Sequence, residues 1–160
     1  MDFIANYLFS GGSSAANTDH LVGFDALCGT AFSGQAVGIA FSGTESRHYI
    51  LINTLPVDQQ DCLIKGTLNA EQEERAINDA LTKYVPGSPP FECIIYGANC
   101  CDLSPDNKRR QLLELGFGLK EVKIYRGGMF EWLLLQDIYG CTKFATTKKE
   151  LNLLKYNVKV

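Results

Sequence analysis

The sequence predicts an α/β fold, a mostly parallel sheet covered by helices. Three observations predict it. From Tyr49 onward, β-like apolar runs alternate with helical patterns over short connections, the order that successive βαβ units produce. Residues 91–96 are largely apolar without alternation, which suits a strand buried on both faces. Residues 70–84 place Ala76, Ile77, Ala80, Leu81 and Tyr84 on one face at i, i+3 and i+4 spacing, with Glu71, Glu73, Glu74 and Arg75 opposite. That is the pattern of an amphipathic surface helix.

Taken in order, the first quarter of the chain is the least patterned. Residues 3–9 and 21–32 mix periodicities, and the Gly-, Ser- and Ala-rich stretch 10–16 has the composition of a connector. Residues 1–36 are assigned to an N-terminal extension or to the first elements of the domain, and 37–160 to the domain itself. Two β-like runs, 37–41 and 49–55, flank the turn formers Ser42, Gly43 and Thr44, so a hairpin or two neighbouring strands is expected. A polar loop after Pro56 leads to a short extended piece over 63–68. Asn69 then caps the amphipathic helix, its side chain accepting from free amides while Glu71 complements the dipole.

Pro86, Gly87, Pro89 and Pro90 stop that helix and feed the strand ending at Tyr96. The next helix is expected to take Ser104 as its cap, carry Pro105 in its first turn and end at Gly116. Residues 122–125 make the next strand. Gly127 and Gly128 turn the chain into 130–139, which is apolar on almost every side and is predicted as a buried helix. Thr147 and Glu150 have capping-box spacing ahead of Leu151, Leu153, Leu154 and Tyr156, predicting a short terminal helix. Ile94, Ile95 and Tyr96 are expected in a central strand between parallel neighbours holding Leu51 and Ile52 on one side and Lys123 and Ile124 on the other. Trp132 is expected in the core.

Composition narrows the function classes. One domain's worth of chain, 160 residues, is 46% hydrophobic and 21% charged, enough for a real core. Its formal charge of −3 provides no basic field for nucleic acid or an anionic membrane. The apolar runs 37–41 and 130–135 are far below the roughly 20 residues of a membrane span, and the start lacks the positive charge of a leader, so a cytoplasmic protein is expected. Six cysteines, Cys28, Cys62, Cys93, Cys100, Cys101 and Cys141, then read as free thiols. No C-x-x-C is present and only His20 and His48 are available, so neither a metal nor any other cofactor is expected.

In a parallel sheet the ligand sits at the carboxyl ends of the strands, which singles out the loop after Tyr96. It holds Gly97, Ala98, Asn99, Cys100, Cys101, Asp102, Leu103 and Ser104 and delivers the chain into a helix amino terminus. Free amides and the helix dipole there lower a thiol pKa and attract anions. Lys108 and Arg109, with Arg110, add positive charge in the first two turns, pointing to an anion or acidic partner, or else to a solvated face paired with nearby acids. A Cys-x5-Arg phosphatase loop is excluded, since Asp106 and Asn107 stand where the arginine belongs.

Several segments in order resemble the rhodanese-like domains of the sulfurtransferase superfamily. Leu51, Ile52 and Asn53 stand where that family has its "LID" strand, and residues 63–67 (LIKGT) are similar to "HIxGA". Ile94, Ile95 and Tyr96 look like the strand before the active loop. Residues 112–117 (LLELGF) resemble "L…LGF", and 127–132 (GGMFEW) fit "GGxxxW". The resemblance implies a three-layer fold, helices on both faces of a central parallel sheet, and in active members a cysteine that carries a persulfide. This chain departs from it. Gly97 occupies the position of the family's cysteine, Asn53 and Leu55 replace an Asp and an Arg, and Leu63 replaces the His.

Three functions follow. The preferred one is a non-catalytic, pseudoenzyme-like domain that recognises a protein partner or small anion through Gly97, Ala98, Asn99, Asp102, Ser104, Lys108 and Arg109. The second is an active sulfurtransferase of the thiosulfate type, with Cys100 or Cys101 as a displaced catalytic nucleophile. Against it, the charges of Asp102 and Asp106 are expected to oppose a thiolate, while Gly97→Cys is expected to create a persulfide-forming thiol if the amide cradle survives, and its failure to mean that the loop is rebuilt for something else. The third is a scaffold or oligomerisation module that docks through the leucines near the C-terminus.

Overall fold

The computed structural model describes residues 20–24, 27, 38–42, 45–83 and 91–158. Five strands, Leu21–Val22 (β1), Gly38–Ser42 (β2), Glu45–Asn53 (β3), Glu92–Tyr96 (β4) and Val122–Tyr125 (β5), form one sheet in the order β1, β5, β4, β3, β2. As expected, β4 is central and parallel to both neighbours, with Ile94 opposite Leu51 on one side and Lys123 on the other. At one edge β1 pairs parallel with β5, and at the other β2 runs antiparallel to β3. Part of the stretch 1–36 therefore enters the sheet. Two residues carry no readable period, so β1 left no signal in the sequence.

Among the described residues three long helices cover the sheet: Ala70–Lys83 (α1), Ser104–Glu114 (α2) and Gly128–Tyr139 (α3). Alternate strand residues point to opposite faces, dividing the core in two. Ile50, Ile52, Cys93, Ile95 and Val122 pack with Ile77 and Ala80 of α1 and Leu112 of α2. Leu51, Ile94, Tyr96 and Tyr125 pack with Met129, Trp132 and Leu133 of α3 and with Tyr156. The result is three layers, with every residue of β4 buried.

Local chemistry explains how the elements start and meet. Asn69 Oδ1 accepts from Gln72 N at 2.8 Å while Gln72 Oε1 accepts from Asn69 N at 3.1 Å, a reciprocal cap at the head of α1. The buried Tyr96 hydroxyl accepts from Ile64 N at 3.2 Å and lies 2.7 Å from Thr67 Oγ1. It thereby pins the piece 63–68, which is not a strand but two isolated bridges, Leu51 with Thr67 and Ile64 with Thr146.

Three local expectations are corrected. Ser104 is the first residue of α2 rather than its cap; Leu103 holds the cap position, and Asp102 Oδ1 accepts from Ser104 N at 2.9 Å. The helix α3 is buried along one side only, at Gly128, Met129, Trp132 and Leu133. Leu134, Ile138 and Tyr139 are exposed, because α3 forms the outer layer of its face. Thr147 starts no helix. Its Oγ1 accepts from Leu63 N at 3.0 Å, which commits it to the bridge at Ile64, and the terminal element is one 3-10 turn, Leu153–Tyr156.

The connector 10–16, the turn at Gly43 and Thr44, Tyr84, the helix stop over 85–90 and Cys28 lie outside the described residues. Cys62, Cys93, Cys100, Cys101 and Cys141 are free thiols. Burial pushes the Cys93 thiol up to about 12 and raises that of Cys62. No helix among the described residues is long and apolar enough to cross a membrane.

Candidate functional site

The loop after β4 lies where two helices begin. The amino terminus of α2 follows it directly, and that of α3 approaches from the other side. Four amides at each helix start lack an intrahelical partner, and such amides are what an anion or thiolate would use. Here the loop itself takes several of them. Gly97 O accepts from Met129 N at 3.0 Å and Ala98 O from Phe130 N at 2.9 Å, so the head of α3 is closed by β4's own continuation. Gly128 makes this approach possible. Its φ is +63°, and a Cβ there would lie 2.5 Å from Gly97 O.

Asp102 closes the other half. Its Oδ2 accepts from Ala98 N at 2.9 Å and its Oδ1 from Ser104 N at 2.9 Å. The carboxylate is thus folded back over Gly97. A Cβ on Gly97 would fall inside contact distance of Asp102 Oδ2 and 3.0 Å from Pro105 Cγ. The space that a cysteine side chain would need after the central strand is filled by an internal anion.

Asn99 fastens the loop from outside. Its Nδ2 donates to Tyr156 O at 2.9 Å, and its Oδ1 accepts from Cys101 N at 3.0 Å. Asp102 N donates to Asn99 O at 3.1 Å, completing a tight turn. Cys100 and Cys101 project from that turn, both exposed, with their sulfurs 3.9 Å apart. The neighbouring Cys100 thiol raises the Cys101 pKa, first through their hydrogen bond and then by charge. The cause differs from the one expected. Asp102 is engaged by amides, and Asp106 is engaged by Arg126, whose guanidinium meets it with two contacts of 2.7 Å. That pair holds the Asp106 carboxyl below its usual range.

Gly97, Ala98, Asn99, Cys100, Cys101, Asp102 and Ser104 therefore come together. Lys108 and Arg109 do not join them. Lys108 pairs with Glu73 of α1, while Arg109 donates to Val122 O at 2.9 Å and Leu119 O at 3.2 Å, at the opposite end of β5 from the loop. The basic run fastens α2 to its neighbours. Sequence reasoning missed three contributors: Leu103, exposed at the head of α2, Arg126, and Tyr156, whose carbonyl receives Asn99. The Arg126 to Asp106 pairing joins separate elements and leaves no local pattern.

No family model matches the chain, nor does any curated protein or solved structure. Among the described residues no group of three or more His, Cys, Asp or Glu side chains could hold a metal ion.

Proposed function

We propose that the chain is a divergent rhodanese-like domain that performs no sulfur transfer and presents the loop after β4 to a protein partner. The observation that carries this reading is the Asp102 carboxylate over Gly97, bonded to Ala98 N and Ser104 N. Backbone amides in that position would otherwise stabilise a thiolate, a persulfide or a bound anion. With a carboxylate already on them, a second anion meets repulsion instead of donors. A protein partner is favoured over a small anion for that reason. Leu103, 68% exposed on a turn braced by Asn99 and Asp102, is the apolar side chain the loop would offer such a partner.

Two measurements test the proposal. Cyanide-dependent sulfur transfer from thiosulfate is expected to equal the protein-free rate, and intact mass is expected to show no added sulfur on Cys100 or Cys101. Turnover abolished by Cys100→Ser or Cys101→Ser would establish the sulfurtransferase reading in its place. A photo-crosslinking residue at position 103 in cells is expected to trap a discrete partner, while the same residue at exposed Val57 traps none. Equal labelling from both positions would remove the loop as a recognition surface.

A further inference from the structure

A second surface, sharing no residue with the loop, lies between α3 and the chain after it. It is an open groove of about 910 Å³, with Leu133 and Leu153 among the apolar residues that line it, exposed Leu151 on its wall, and Lys65, Lys148 and Lys149 at its rim. The Thr147 to Glu150 stretch, whose capping-box pattern starts no helix, forms one side of it. We infer that this groove binds an acidic peptide segment of a partner protein, with apolar residues between its acids. The inference stands apart from the reading of the loop.

Charge is the first argument. In a chain of net charge −3, three lysines gather here, and none has an acidic partner among the described residues. The groove's own Glu150 is engaged internally, accepting from Asn152 N at 2.9 Å and lying 3.8 Å from Lys155 Nζ. Asp137 remains as the one further acid of the lining. Cationic heads around an apolar floor complement a ligand that alternates carboxylates with hydrocarbon.

The backbone supplies the second argument. Lys148, Lys149, Glu150 and Leu151 lie in neither helix nor strand, and their amides donate to no protein group among the described residues. In extended chain successive amides face opposite sides, so alternate donors of this stretch meet the carbonyls of an extended peptide laid beside it, the main-chain mode of recognition in which side-chain pockets add specificity. A small ligand has no comparable row of acceptors.

The test is fluorescence anisotropy with the whole chain and a labelled peptide alternating Glu and Leu, beside a Lys and Leu peptide of equal length. The acidic peptide is expected to bind saturably and to weaken with salt, and the basic one not to bind. Lys148→Glu with Lys149→Glu is expected to weaken binding about tenfold or more, with the thermal midpoint unchanged. Lys83→Glu with Lys120→Glu, which changes the net charge by the same amount, controls for charge, and Leu103→Asp is expected to leave binding intact, separating this groove from the loop. Equal binding of both peptides, or no effect of the double variant, would overturn the inference. So would phosphatidylserine vesicles that bind where the peptide does not, or a dimer that the double variant dissociates.

Discussion

Asp102 places each of its carboxylate oxygens on a backbone amide, Ala98 N and Ser104 N, so its truncation leaves two donors of the loop without an acceptor. Asp102→Ala is expected to lower stability by about 1–3 kcal/mol, read from the urea midpoint. Gly97→Cys competes for the same space, its Cβ meeting the Asp102 carboxylate. Its loss is expected to be non-additive with that of Asp102→Ala, the double variant falling little below the single. Strict additivity would mean that the two groups do not meet. At Cys101, whose pKa is raised by Cys100, alkylation is expected to titrate above the ordinary thiol range, and Cys100→Ser to bring it down. Arg126 depresses the Asp106 pKa, so the pair contributes stability above the ordinary carboxylate value of about 3.9 and loses it as pH falls through the folded value. Arg126→Met is expected to shallow the acid limb of stability against pH; an unchanged limb would show that the pair contributes nothing. The composition of this site was legible, but its directions were not. An Asp two residues before a Ser is a turn signal, and weighting it would have turned the carboxylate inward onto the amides.

Among the elements, α3 shows how far a hydrophobic pattern reaches. Its inner side was recoverable because Trp132 and Leu133 follow a glycine turn, and Trp132 is fully buried, edge-on to Tyr125 at 6.1 Å and to Phe144 at 5.0 Å. Its indole N–H donates to Ala145 O at 3.2 Å, tying helix to groove wall. Trp132→Ala is expected to cost about 3–5 kcal/mol, measured by denaturant unfolding, and an unmoved midpoint would contradict this packing. The outer side misled, because Leu134 and Ile138 are as apolar as core residues and only the absence of a covering layer separates them. The strand β4 was the opposite case. After Glu92 the run Cys93 to Tyr96 is apolar without alternation, which has one meaning in a five-residue strand covered on both faces.

For the molecule as a whole, alternation of pattern gave the parallel centre and the turn formers between the two β-like runs gave the antiparallel edge of β2 and β3, while the β1 edge depended on a pairing that no local window contains. The strand β1 is held by two residues against β5, and β2 runs antiparallel to β3 with Gly38 opposite Tyr49 and Ser42 opposite Glu45. The loop after β4 was found by topology alone, since strand ends in a parallel sheet are where helix starts converge. That convergence has a kinetic side. The Met129 and Phe130 amides stand at a helix head, where protons ordinarily trade with solvent quickly, yet their acceptors are carbonyls on a distant stretch of chain. Deuterium uptake at these two positions therefore times the parting of loop from helix. Asp102→Ala is expected to hasten it while leaving the centre of β4 slow, and uptake equal to the parent protein's would mean that loop and helix part as one with the sheet.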